Sequence, residues 1–92
     1  MYIKYATVYG WLKEDINNLE KAIEAFKNWE KTLAKYNIKL LFWAGAYGAP
    51  EPIMFSAKFN DIKDWEKALN ERAFQHNPLD KTRTIFGLDY TT

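Results

Sequence analysis

The spacing of apolar positions changes repeatedly along the chain, and each change marks an element. Residues 2–9, YIKYATVY, are dense in β-branched and aromatic side chains and run up to Gly10, which predicts a strand. From residue 15 the period lengthens. Ile16, Leu19, Ile23, Phe26, Leu33 and Tyr36 recur at helical steps, with Ala22 and Trp29 widening the same face, so residues 15–37 read as an amphipathic helix. Asn17 with Glu20 three residues later has the form of a capping pair, and Asn37 suits the left-handed residue that closes a helix.

Residues 38–46, IKLLFWAGA, return to a short apolar run, a second strand, which the glycine and two prolines of YGAPEP terminate. In residues 53–59, IMFSAKF, the apolar Ile53, Phe55, Ala57 and Phe59 alternate with Met54, Ser56 and Lys58, so a third strand forms a hairpin with the second. Asp61 can cap a second helix, with Asp64 in its first turn and Ile62, Trp65 and Leu69 as its buried stripe. Pro78 biases Asn77 away from helical geometry, which predicts that this helix ends near His76. Thr84, Phe86, Leu88 and Tyr90 alternate within residues 82–90, a closing strand. The expected fold class is α+β: a ferredoxin-like βαββαβ domain over residues 1–92, with a four-stranded antiparallel sheet and both helices on one face.

Two helices cover one side of such a sheet, so the other side should turn polar if it meets water. It does not do so. The first strand puts Tyr2, Ala6 and Val8 on one face and Ile3, Tyr5 and Tyr9 on the other, and the second sets Ile38, Leu40 and Phe42 against Leu41 and Trp43. An apolar sheet of this extent calls for a cover, and a second copy of the same sheet is the simplest one, so a homodimer through the sheet face is expected.

Composition narrows the function classes. The chain has no cysteine, which excludes disulfide scaffolds, thiolate metal sites and thiol nucleophiles. Its 13 basic and 12 acidic residues are intermixed and leave a net charge of +1, so no field of one sign attracts nucleic acid. No apolar stretch approaches a bilayer span and no charged start precedes an apolar run, so a cytoplasmic protein without membrane contact is expected. Aromatic residues make up 17% of the chain, and that many rings in a domain of this size require a core, a partner or a ligand.

The βαββαβ order, with a second helix reading DWEKALNERAFQH directly after FNDIK, resembles the dimeric α/β-barrel superfamily. That resemblance implies a homodimer with a cavity between sheet and helices or inside a shared barrel. The superfamily includes antibiotic-biosynthesis and haem-degrading monooxygenases and stress-responsive proteins. Its haem-degrading branch uses a first-strand asparagine, a tryptophan early in the second helix and a histidine near that helix's end. Trp65 and His76 match the last two, whereas the first strand offers Tyr5 or Thr7 in place of asparagine. The resemblance therefore carries over Trp65 and His76 as pocket candidates and implies no haem.

Geometry refines the pair. On an uninterrupted helix, eleven residues bring His76 within about 20° of Trp65's direction and roughly 16 Å along the axis, placing both on one stripe. His76 is then either the catalytic candidate or a helix-end residue facing unpaired carbonyls. Trp65, Phe74, Tyr5, Trp43 and Arg83 are the ligand-binding candidates, and Arg83 and Asp89 on the last strand are charged groups able to hold an anion or move a proton. One histidine among scattered carboxylates predicts no metal site, and no cofactor is expected. Ser56, the only serine, lies mid-strand outside any nucleophile elbow, and the glycines of GAYGAPEP open no helix onto a phosphate. The expected function is a homodimer binding a small apolar or aromatic molecule, with monooxygenase-like chemistry conceivable without a cofactor. The alternatives are a non-catalytic interaction dimer and a single-stranded nucleic-acid binder that stacks bases on sheet aromatics, the latter lacking the basic-aromatic strand signature of RNA-recognition modules.

Overall fold

The computed structural model describes residues 2–91. The β-rich segments form four strands, β1 (Tyr2–Leu12), β2 (Ile38–Gly45), β3 (Ile53–Phe59) and β4 (Leu79–Asp89), in one antiparallel sheet ordered β2-β3-β1-β4. Two helices join them, α1 (Leu19–Ala34) and α2 (Ile62–Asn70), and a short 3-10 turn, Ala73–His76, follows α2. This is the expected βαββαβ, ferredoxin-like α+β arrangement. Phe55 and Phe59 lie on the same face of β3; α1 packs edge-on against Phe55 through Phe26 and Trp29, while Trp65 of α2 lies 5.8 Å from Phe59. Both helices therefore cover one face, and the core lies between them and Ala6, Val8, Leu40 and Ala57.

The strands do not alternate as a simple two-residue count implies. In β2, Leu40 pairs with Ala57 but Phe42 pairs with Ser56, so Leu41 is an extra residue in a bulge. The extra residue reverses every face after it. Phe42, expected beside Ile38 and Leu40, instead points to the open face with Leu41, and Trp43 turns inward to stack on Phe26 at 4.4 Å with the rings 8° from parallel. A second shift between Ile3 and Tyr5 does the same in β1: Tyr2, paired with Asp89, joins Tyr5 and Tyr9 on the open face, and Ile3, paired with Leu88, goes to the helix side.

In α1 the buried residues are Ala22, Phe26, Trp29 and Leu33, whereas Leu19 and Ile23 of the expected stripe face solvent. The cap is Asn18 rather than Asn17; its side chain accepts a hydrogen bond from the Lys21 amide at 2.9 Å. Asn37 takes the left-handed conformation anticipated for it, φ 60°. Asp61 caps α2 by accepting from the Lys63 amide.

The expectation of a continuous helix to His76 is corrected. α2 stops at Asn70, and Arg72 adopts a left-handed φ of 60° before the 3-10 turn. The reason is the Phe74 ring. Nine residues after Trp65 on a straight helix, Phe74 would point about 180° away from it. With the break, its ring reaches 4.7 Å from Trp65 and 5.2 Å from Trp29. Within α2 itself the buried residues are Trp65 and Ala68, and Leu69 of the expected stripe is half exposed. Where β4 begins, Gly10 permits its close approach, since a Cβ there would lie 2.7 Å from the Asp80 carbonyl oxygen.

Candidate functional site: an aromatic cleft beside strand β4

Because α2 is short and breaks at Arg72, it leaves β4 largely bare. Every residue from position 80 to 86 is exposed. Between α2, the 3-10 turn and the helix-side face of β4 lies a cleft of about 440 Å³, walled by Trp65, Phe74 and Phe86 with Leu69 and Val8 beneath. Trp65 meets Phe86 edge to face at 6.0 Å and 85°; Trp65 is buried, and Phe86 is the ring that opens to the cleft. The mouth is polar, carrying Lys13, Asp80, Lys81, Thr82 and Thr84. The volume lies within the range of small-molecule sites, and six of the twelve residues around it are apolar.

Of the residues singled out from the sequence, Trp65 and Phe74 meet in this cleft. His76 does not line it. Exposed at the end of the 3-10 turn, it borders a neighbouring hollow of about 560 Å³ with Asp15, Lys21 and Glu24 at the start of α1. The inward position expected for it fails for the same reason as the helix that carried it: the left-handed Arg72 rotates everything downstream. Trp43 packs on α1, away from the cleft. Tyr5 and Arg83 lie on the opposite, open face of the sheet, opposite Gly87 and Tyr9 respectively.

Arg83 is engaged there by two groups. Its guanidinium lies 4.6 Å from the Tyr9 ring and donates two hydrogen bonds, of 2.8 and 2.9 Å, to the Glu51 carboxylate. Glu51, in the loop between β2 and β3, is only 6% exposed. The hydrogen bonds from Arg83 hold its carboxyl below the usual carboxylate range. Arg83 thus clasps the β2–β3 loop across β1 instead of presenting a free cation to a ligand. Asp89 is likewise held low, chiefly by the Thr91 hydroxyl and amide, which donate to it at 2.6 and 2.8 Å. At the middle of the open face Thr7 and Ser56 share a hydrogen bond of 3.0 Å. Among the described residues no three His, Asp or Glu side chains gather as a metal site would require. Among the same residues no helix is long and apolar enough to cross a membrane.

The sequence reading missed Phe86 as a wall, although its alternation with Thr84 and Leu88 was the available signal. Lys13, Lys81 and Glu51 gave none, since the chain path alone brings them to their places. No family model matches this chain, and no curated protein matches it in sequence.

Proposed function

We propose that the protein binds a small apolar or aromatic molecule in the cleft between α2 and β4 and works as a homodimer paired through the open face of its sheet. The apolar side of the cleft carries the ligand reading: Phe86 and Leu69, 44% and 50% exposed, stand beside the partly buried Phe74, with the buried Trp65 backing them. The dimer reading is supported by Tyr2, Leu41, Phe42 and Ile85, all between 43% and 66% exposed on the uncovered face. The resemblance to dimeric α/β-barrel proteins agrees with both halves. His76, the catalytic candidate, opens into a different hollow, so the cleft supports the binding half of this reading without it.

The test is a thermal-shift screen of flat aromatic compounds on the wild type and on Phe86→Ala, a change at an exposed cleft residue. Compounds that raise the melting temperature of the first and not of the second support the cleft. A screen in which no aromatic compound shifts the wild type defeats the ligand reading, leaving the interaction dimer, which sedimentation equilibrium checks separately.

A further inference from the structure

The mouth of the cleft differs in charge from its walls. Lys13, which borders both this cleft and the neighbouring hollow, donates from Nζ to the Gln75 carbonyl at 2.8 Å and keeps N–H groups to spare. Lys81 also lines the cleft, on a backbone held at a left-handed φ of 53° within β4. Such a conformation is costly for a residue other than glycine, and it persists where the surrounding structure dictates the direction of the chain. Among the described residues neither lysine lies within 4.0 Å of a carboxylate, and Asp80 is the only acid at the rim, which leaves the mouth net positive. Thr82 and Thr84 add hydroxyl donors to the same side.

From this arrangement we infer that the cleft selects aromatic molecules bearing an anionic group, the ring lying against the exposed sides of Phe86 and Leu69 and a carboxylate held by Lys13 and Lys81. The inference rests on the ligand reading above and adds the sign of the ligand's charge. Aromatic faces attract cations rather than anions, so a preference for an anionic ligand comes from the rim.

Calorimetric titration with three naphthalenes of equal ring, 2-naphthoate, 2-naphthamide and 2-naphthylmethylammonium, tests it directly. The carboxylate should bind about tenfold more tightly than the amide, the scale of a charge-assisted hydrogen bond at a partly shielded site, with the ammonium weakest. That preference should shrink in Lys81→Gln and in Lys13→Gln and at about 1 M salt, where exposed charges are screened. Lys81 is exposed, so its variant keeps the measurement interpretable should Lys13→Gln disturb the turn. An amide that binds as well as the carboxylate, or a preference unchanged in both variants, overturns the anionic selectivity while leaving the ligand reading intact. Absence of binding by all three compounds overturns both together.

Discussion

Trp29 is fully buried, yet its indole N–H has no hydrogen-bond partner. An orphaned buried donor costs about 1–3 kcal/mol, whereas the ring itself fills the space between Phe55 and Phe74. The two effects separate by substitution. Trp29→Ala should lower unfolding free energy by about 3–5 kcal/mol, and Trp29→Phe, which removes the orphan along with part of the ring, by about 1 kcal/mol or less, as read from urea unfolding. Glu51 and Asp89 set the acid response. Both carboxyls are held below their ordinary values in the folded chain, so their contribution is complete above the ordinary carboxylate range of about 4 and is lost as pH falls through their lowered folded values. Melting temperature should therefore drop on acidification below that range, and Glu51→Gln should melt lower at neutral pH while showing a shallower drop. An unchanged acid profile in that variant would mean that the clasp to Arg83 does not form in solution.

At the scale of elements, the order and type of strands and helices were legible because periodicity reports which residues seek a common face. What misled was continuity. The alternation in β2 was counted through Leu41, where a bulge inserts one residue, and Phe42 and Trp43 exchanged faces as a result. The helical count in α2 was carried past Arg72, so His76 was aligned with Trp65 although the chain had already turned. Each error was one residue long and became a whole face, since periodic patterns propagate a shift without attenuation. Nothing local in LLFW or NERAF signals the break; burial of Trp43 and Phe74 selects it, and that depends on residues distant in sequence. The left-handed Arg72 can be tested by Arg72→Gly, which relieves about 1–2 kcal/mol of backbone strain against about 0.5–1 kcal/mol of added chain entropy. Stability should rise by up to about 1 kcal/mol. A loss instead would show a right-handed residue there and a helix that runs on.

The whole molecule presents a sheet with one covered and one uncovered face, and the uncovered face is not neutral. Lys4, Lys39, Lys58 and Arg83 outnumber the carboxylates Glu51, Asp80 and Asp89 on it, so the face is net positive. Pairing two such faces brings like charges together, so association should strengthen with added salt, whereas nucleic-acid binding would weaken. Sedimentation equilibrium at low and high salt distinguishes these, and Ile85→Lys should shift the population to monomer. The Glu51 and Arg83 pair has a further consequence at this scale. It joins the loop that ends β2, at one border of the sheet, to β4 at the other, passing over Tyr9 of β1. Strand β4, bare on most of its length, would otherwise fray by itself. With the two borders fastened, amide hydrogens of β4 and of residues 46–52 should exchange with deuterium as a single cooperative unit, and Glu51→Gln should split that unit in two, releasing β4 first.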